Sequence, residues 1–573
     1  MKLIKKLRWQ ILFIILAVIV IGALLWEQQT EPESILAPET TPEPITGGIY
    51  IEGVVGSLKR LNPLLAVYNQ VDKDASRLLF SSLVRFDSKG LPQPDLAESW
   101  GISRNGEAYN FSLRQDATWH DGTPVTSQDV VFTIGLLRNE DFPARSDLNL
   151  FWQEIEVQTL DDHNLQFRLP EAFAPFLDYL NFGILPAHLL GDLTPSEIVN
   201  AEFNIQPIGS GPYQFNTLLT EDGKITGVAL NKFPNYYGDD VYLEEFVFKY
   251  YEDVLGVWEA YQAGEVQGIS KVAPEILPQA LNDPNLNIYT GRLPELTLIF
   301  LNLDNPQVPF FQESEIRHAL LSGLNRQWMV DKILNGQAVI ADGPIFPKTW
   351  SYYDNLHHYD YEPRQATEIL KEADYTFPAE GGDTRAKEGD GEEKIFLEFT
   401  LLYPDDEKHA TLAKAVQEDW AELGVSVILE ALPYSELVSE YLDTRLYQAA
   451  LVDLNLARTP DPDPYPFWHQ TQTSGGQNYS MWNDRQASEY LEQARIVVNP
   501  EERARLYRNF QVRFVDQMPA LPLFYPMYTY GVSADVKGVR IGPIFEPADR
   551  LVTISDWYLY SELTEVQTTP SEE

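Results

Sequence analysis

The chain has no cysteine among its 573 residues. This absence excludes disulfides, thiol catalysis, thiolate metal sites and a lipid-modified N-terminal cysteine. Basic residues are also scarce, with 42 Lys and Arg against 85 Asp and Glu, and the formal net charge is -43. Because such a charge repels phosphate backbones, the composition excludes nucleic-acid binding.

Motifs for hydrolytic chemistry are missing as well. His318 is followed by Ala319 and does not begin a His-Glu-x-x-His zinc helix. Gly209-Ser210-Gly211 lacks the spacing of a nucleophile elbow and is typical of a tight turn. Paired carboxylates for glycoside cleavage stay open, since acidic residues are abundant. We therefore expect a protein that is not an enzyme, with no catalytic residues, no metal and no cofactor.

The N-terminus carries a basic and then an apolar segment. Residues 1–8 contain four basic side chains, and residues 9–26 are apolar except for Gln10. At about 1.5 Å per residue this run covers roughly 27 Å, close to the thickness of the hydrocarbon layer. No small-residue cleavage site follows it, as a signal peptide would require. The pattern predicts a transmembrane anchor at 9–26, with residues 1–8 in the cytoplasm and the rest outside.

Polar segments flank the region that is expected to fold. Residues 27–46 are rich in Glu, Pro and Thr, which is typical of a disordered linker. Residues 564–573 are similarly polar and predict a flexible tail. The part between them exceeds the size of a single hydrophobic core, so it predicts several domains.

A mixed α/β pattern runs through this part. Residues 395–401 alternate as a strand, 412–423 carry an apolar helical stripe that ends at Gly424, and 425–429 alternate again. This succession predicts a βαβ unit. Ligand sites in such sheets lie at the carboxyl ends of the strands.

Several longer strings resemble one known family. These strings are PDLAESW (94–100), WHDGTPVTSQDVVFT (119–133), PIGSGPYQF (207–215) and PALPLFYP (519–526). Together they are similar to the family 5 extracellular solute-binding proteins, which include the oligopeptide-, dipeptide- and nickel-binding components of ABC importers. The resemblance runs over almost the whole chain. Within the second string, Thr126 to Asp129 has helix N-cap spacing and His120 is expected to be structural.

The resemblance implies a class II periplasmic-binding-protein-like α/β fold with two lobes and three domains. Domain I would be discontinuous. The expected boundaries are 47–83, 204–298 and 513–563 for domain I, 84–203 for domain II and 299–512 for domain III.

The function that follows is capture of di- or oligopeptides in an interdomain cleft by hinge closure. The expected partners are a peptide or another small ligand, the permease subunits of an ABC transporter, and the membrane through the N-terminal helix. A monomer is expected. Alternatives keep the fold but change the ligand to an oligosaccharide, an opine or a nickel complex, or make the chain a membrane-tethered sensor.

The resemblance also directs attention to residues 453–468, DLNLARTPDPDPYPFW, as the cleft-lining strand and loop of domain III. Asp461 and Asp463 are candidates for binding a ligand amine, and their alternative role is to initiate turns before proline. Arg458 is a candidate for a ligand carboxylate, or a surface arginine. The complete set of expected ligand-binding residues is Tyr68, Asn69, Asn302, Asp453, Asn455, Arg458, Asp461, Asp463, Trp468, Tyr479 and Trp482. The aromatic members could stack on a ligand or fill the core.

Overall fold

The computed structural model describes residues 40–143, 146–389, 394–456, 460–542 and 544–565. Within these ranges the chain has a mixed α/β fold, as the sequence predicts. No helix there combines the length and the apolar character needed to span a bilayer. The predicted anchor at 9–26 and the basic end at 1–8 lie outside the described residues.

The helices are mostly short. In chain order they are α1 (Gln70–Leu79), α2 (Ser127–Arg138), α3 (Ser146–Gln153), α4 (Ala187–Leu190), α5 (Pro195–Val199), α6 (Val254–Gln262), α7 (Leu277–Asn282), α8 (Ser314–Ser322), α9 (Arg326–Lys332), α10 (Pro363–Glu372), α11 (Glu407–Glu422), α12 (Tyr434–Glu436), α13 (Tyr465–Trp468), α14 (Arg485–Ile496) and α15 (Pro500–Gln517). Helical turns of other kinds are the 3₁₀ segments Ala174–Leu180, Glu202–Asn204, Pro309–Gln312, Gln470–Thr473, Pro547–Leu551 and Ile554–Asp556, and the π-helical turn Leu437–Leu442.

The strands are β1 (Thr40–Ile45), β2 (Ile49–Val55), β3 (Val84–Phe86), β4 (Pro92–Pro94), β5 (Ala97–Ile102), β6 (Ala108–Leu113), β7 (Glu156–Thr159), β8 (Asn164–Arg168), β9 (Tyr213–Glu221), β10 (Lys224–Lys232), β11 (Glu245–Tyr251), β12 (Gly268–Ile269), β13 (Leu286–Arg292), β14 (Glu295–Leu301), β15 (Ala338–Ile340), β16 (Ala386–Glu388), β17 (Lys394–Phe396), β18 (Glu398–Pro404), β19 (Ser426–Leu432), β20 (Ala449–Asn455), β21 (Ala520–Ser533) and β22 (Tyr560–Glu565).

A large sheet organises most of these strands, in the order β19-β18-β20-β14-β21-β12-β2-β11-β10-β9. The long strand β21 pairs with β14 and β15 along its first half and with β12 and β13 along its second half. A smaller antiparallel sheet has the order β5-β6-β8-β7. Strand β21 therefore connects the two parts of the large sheet.

Two large hydrophobic cores define a first and a second lobe, and a third, smaller core contains buried residues from Val257 to Leu286. The core of the first lobe contains buried residues from Tyr50 to Phe248 and from Tyr528 to Trp557. The core of the second lobe runs from Leu296 to Tyr525. The chain thus passes between the lobes near Pro294 and again near Pro526.

The domain boundaries expected at 298/299 and 512/513 stay predictions, and the two large cores meet along the chain near Pro294 and Pro526. Helix α15 continues through residue 513, and its Phe514 and Val515 are buried in the core of the second lobe. Residues 513–525 therefore belong to the second lobe.

Local predictions agree with the structure in the regular segments. Strands β18 and β19 are parallel and are joined by α11, which is the predicted βαβ unit. Helix α2 begins after Thr126, whose capping box with Asp129 has the predicted spacing.

The two-stranded sheet of β1 and β22 forms a unit separate from Thr46–Leu559. It pairs Thr40–Ile45 with Tyr560–Glu565 in antiparallel register. The end of the predicted disordered linker and the start of the predicted tail are therefore strands. Pro42 and Pro44 have no backbone N–H to donate. Because they are two residues apart, the backbone positions of both can face away from the partner strand, where no donor is needed.

Candidate ligand-binding site

Three parallel strands of the second lobe end at the same edge of the sheet. Strand β18 pairs in parallel with β19 on one side and with β20 on the other. The carboxyl ends of these strands lead to Lys408 and His409 at the start of α11, to Tyr434 in α12, and to Asp453 near the end of β20. The edge therefore gathers charged and aromatic side chains from three separate segments.

The N-terminus of α11 fixes the position of His409. Asp406 caps this helix by accepting a hydrogen bond from the His409 N–H at 3.0 Å. The Asp406 carboxylate also lies 2.6 Å from His409 Nδ1. The imidazole is buried, so the cap determines which way its second nitrogen points.

Asp453 receives contacts from two sides. The Thr297 hydroxyl donates a hydrogen bond to its carboxylate at 2.5 Å, and His409 Nε2 lies 3.3 Å from it. Lys408 forms an ion pair with the same carboxylate. Burial alone would raise the pKa of Asp453, but the contact with His409 and the charge of Lys408 outweigh it and lower the pKa. Asp453 is therefore a carboxylate anion.

Glu295 lies at the beginning of β14, beside the crossing between the lobes. Burial raises its pKa, and the charge of Asp453 adds to the increase. Lys408 and Lys271 act in the opposite direction. Since Lys271 follows β12 and Lys408 belongs to the second lobe, cations from both parts of the sheet reach this carboxyl.

The edge of β20 that faces β18 is paired with that strand over only part of its length. Its register with β18 covers Ala449 and Ala450 and ends there. On the other side it pairs with β14 along the whole strand, and the hydrogen bonds from Asn302 N–H to Gln448 O and from Leu456 N–H to Pro294 O fix which residues face β14. Because strand residues alternate, the backbone groups of Leu451 and Asp453 point away from β14. These backbone groups point to the side of β20 on which β18 no longer pairs with it.

Asp461 and Asp463 lie in the loop after β20, and both carboxylates have basic partners within the protein. Asp461 is buried, pairs with Arg503 at 2.5 Å and accepts a hydrogen bond from the Tyr507 hydroxyl at 3.0 Å. Asp463 pairs with Arg495 at 2.7 Å and has a positive φ of 23°. These contacts hold the loop in place and occupy the carboxylates that were expected to bind a ligand amine.

The three aromatic candidates are core residues in this structure. Trp468, Tyr479 and Trp482 are buried in the core of the second lobe. Trp468 packs against Phe300 and Phe514, with ring centroids 5.9 Å and 4.7 Å away. Their burial agrees with the role of filling the core, and a contact with ligand stays a prediction.

The remaining candidate residues lie in separate parts of the structure. Asn302 is buried and donates hydrogen bonds to the carbonyls of Arg445 and Tyr447, each at 2.9 Å. Asn69 caps α1, whereas the neighbouring Tyr68 is 87% exposed. Asn455 ends β20 opposite Glu295, and Arg458 lies outside the described residues.

Sequence reasoning missed Lys408, His409 and Thr297. A usable signal was present, because α11 is the helix of the predicted βαβ unit and its first turn follows the carboxyl end of a strand. Among the described residues, no cluster of three or more His, Asp or Glu side chains could hold a metal ion.

Comparisons with known proteins agree with this architecture. The chain is 25% identical over 530 residues to the oligopeptide-binding protein AppA of Bacillus subtilis (strain 168), covering 91% of this chain and 94% of that protein. It is 25% identical over 515 residues to the dipeptide-binding protein of Escherichia coli (strain K12), covering 85% and 91%. The structure of HbpA2 from Haemophilus parasuis has the same fold, with a TM-score of 0.76 at 22% identity over 90% of this chain and 100% of that one.

The family profile described as bacterial extracellular solute-binding proteins, family 5 middle region, matches residues 92–477. This match covers most of the chain and includes the strand ends described above. Membership of a family of binding proteins agrees with the expectation that the chain is not an enzyme. The protein belongs to the bacterial extracellular solute-binding proteins of family 5.

Proposed function

We propose that the protein is the substrate-binding component of an ABC importer and captures peptides in an extended conformation. The observation that carries this proposal is the edge of β20 beyond Ala450, where backbone groups of Leu451 and Asp453 face the side that β18 has left. An extended peptide can add to such an edge as a further strand. The names of the relatives, oligopeptide- and dipeptide-binding proteins, support the same ligand class.

Side chains around this edge suit the charged ends of a peptide. Lys408 is 40% exposed while it pairs with Asp453, so its ammonium group can also receive a ligand carboxylate. Backbone pairing makes no demand on the ligand's side chains, and it therefore suits a binder of many sequences. Tyr68 and Asn69 would present main-chain groups from the first lobe.

Closure is the proposed mechanism of capture. The fold would be of the class II periplasmic-binding-protein type with three domains, two of them within the first lobe. The passages near Pro294 and Pro526 would act as the hinge. A ligand that contacts both lobes only in the closed form shifts the population towards closure.

The proposed location is the outer face of the cytoplasmic membrane. Residues 9–26 would anchor a monomeric binding protein beside the permease subunits that receive its ligand. Deleting residues 1–26 would then move the protein from the membrane fraction to the soluble fraction of its host. An unchanged distribution would contradict the anchor without affecting the proposed ligand class.

The peptide proposal is tested with peptides of mixed sequence and length. Native mass spectrometry on the purified protein should detect bound peptides, and one of them is then synthesised with single backbone N-methyl groups. Pairing with a strand edge uses every second peptide N–H, so methylation should weaken binding at alternate positions, by about tenfold or more.

The pattern of these effects shows whether the peptide pairs with the strand edge. Equal effects at all positions would argue against strand pairing. A failure to retain any peptide, together with retention of a sugar or a nickel complex, would overturn the peptide proposal.

A further inference from the structure

The lobes also touch at a polar contact whose residues belong to neither chain crossing. In the first lobe, Asp178 belongs to the 3₁₀ segment Ala174–Leu180. In the second lobe, Asp461 belongs to the loop after β20. The Asp461 N–H donates a hydrogen bond to Asp178 Oδ1 at 2.7 Å, and both residues are buried, with exposures of 3% and 5%.

One guanidinium pairs with Asp461 at this contact, and its charge also acts on Asp178. Arg503 on α15 pairs with Asp461 at 2.5 Å and is itself buried. Its Nε donates to the carbonyl of Ala494 at 2.8 Å, which fixes the guanidinium within the second lobe. If both aspartates were ionised, this buried group of three would carry a net negative charge, which is costly in a site of low dielectric.

Of the two aspartates, Asp178 is the one whose ionisation is opposed by its surroundings. Burial raises its pKa well above the ordinary value, and the charge of Asp461 adds to the increase against the opposing effect of Arg503. Among the described residues, Tyr109 on β6 also interacts with Asp178, and the hydroxyl of Tyr507 on α15 donates to Asp461.

A second cation stands beside the same contact. Arg495 on α14 pairs with Asp463 and lies 5.6 Å from the ring of Phe173, which immediately precedes the Asp178 segment. Asp463 neutralises Arg495, so this pair does not supply the charge that a second ionised aspartate would need.

We propose that Asp178, Asp461 and Arg503 form a latch that holds the two lobes together and takes up one proton as it closes. This inference rests on the proposed hinge closure. In an open form Asp178 would face water, and its carboxyl would titrate in the ordinary range. In the closed form it meets Asp461 and keeps a proton.

The direction of the pH effect follows from this difference. Above the ordinary aspartate pKa and up to the raised value, the closed form binds one proton more than the open form. A lower pH therefore favours closure, by up to about tenfold per pH unit. Below the ordinary value, about 3.9, Asp178 is protonated in both forms and the dependence ends.

The absence of cysteine makes the latch directly measurable. Glu171→Cys and Glu501→Cys place two spin labels at exposed positions, one on each lobe. Electron–electron distances are measured on the full chain in detergent from about pH 5 to about pH 8. They are recorded without ligand, and with the peptide mixture at the concentration that closes about half of the molecules.

The expected result is a closed fraction that rises as the pH falls. Asp178→Asn keeps an oxygen that accepts the Asp461 N–H but cannot ionise, so it should stay closed at high pH and lose the dependence. A wild-type closed fraction that does not change with pH, or an Asp178→Asn variant that responds like the wild type, would overturn the latch.

A matched control separates the latch from general charge effects. Asp484 pairs with Arg513 on α15 at 2.7 Å, within the second lobe. Asp484→Asn should leave the pH response intact, and loss of the response would contradict the assignment to Asp178. If peptides close the lobes while pH does not, the latch alone fails. If no peptide moves the labels at any pH, the proposed function fails.

Discussion

Arg550 and Glu52 form an ion pair in which neither side chain has any solvent exposure, although 498 positions separate them in the chain. Arg550 Nε donates to Glu52 at 3.0 Å, and Arg550 Nη1 donates to Asp74 at 2.9 Å. Strand β2, helix α1 and the segment Pro547–Leu551 are thereby joined inside the first lobe. The C-terminal segment is therefore part of this lobe's core.

Removing Arg550 should destabilise the first lobe strongly. Arg550→Ala would leave two buried carboxyl groups without their cation, which costs about 3 to 5 kcal/mol. Urea unfolding followed by tryptophan fluorescence measures the loss. Arg540→Ala is the control, because Arg540 pairs with Asp556 at the surface and is 74% exposed. Its change should stay below about 1 kcal/mol, and a similar loss in both variants would argue against the buried pair.

His120 should make stability depend on pH. Burial lowers its pKa to about 4, and both ring nitrogens contact backbone, Gly209 N–H at 3.0 Å and Gly211 O at 3.1 Å. The unfolded imidazole takes up a proton near pH 6.5, whereas the folded one does so near 4. Stability is thus complete above the unfolded value and is lost as the pH falls towards 4, by about 3 kcal/mol.

The measurement is urea unfolding from about pH 7 to about pH 4. His120→Gln cannot take up this proton, so its free energy of unfolding should fall less steeply over the same interval. His357→Gln is the control, because His357 is exposed to solvent. If His120→Gln and His357→Gln retain the same slope, His120 does not carry the effect.

Two glycines with opposite surroundings give a third prediction. A Cβ on Gly209 would lie 1.8 Å from the carbonyl oxygen of Leu79, at the end of α1, so the backbone itself would have to move. Gly209→Ala should cost about 3 kcal/mol or more. Gly135 lies in α2 and a Cβ there meets nothing within 4 Å, so Gly135→Ala should stabilise by about 0.5 to 1 kcal/mol. Thermal unfolding of both variants checks the contrast, which equal shifts would contradict.

Sequence patterns predicted the parts of the fold that depend on local periodicity and capping. The βαβ unit around α11 and the capped start of α2 at Thr126 have the predicted form. In each case the residues involved determine their own backbone conformation. At Gly209-Ser210-Gly211 a tertiary contact is visible instead, since the Gly211 N–H bonds to Leu79 O at 2.9 Å, at the end of α1.

The site was harder to predict because distant pairings decide it. Asp461 and Asp463 have turn-forming neighbours in sequence, yet their partners Arg503 and Arg495 lie on helices more than thirty positions further along. No local pattern shows that a carboxylate is already paired. Lys408 was missed for the related reason that an exposed lysine becomes significant only beside Asp453.

The difference between a buried aromatic and an exposed aromatic gives the last prediction. Trp468 is 1% exposed and packs on Phe300 and Phe514, whereas Tyr68 is 87% exposed. Trp468→Ala should cost about 3 to 5 kcal/mol in unfolding free energy, because it leaves a cavity in the second lobe. Peptide affinity of the molecules that stay folded should change little.

Tyr68→Ala should behave in the opposite way. Its stability should stay within about 0.5 kcal/mol of the wild type, because the exposed ring supports no core. Its affinity for a peptide identified by native mass spectrometry should fall if the first lobe contacts the ligand at this position. Calorimetric titration beside thermal unfolding separates the two effects. A Trp468→Ala variant that keeps its stability but binds peptide more weakly would contradict this assignment. It would indicate that the Trp468 indole contacts the ligand and does not support the core.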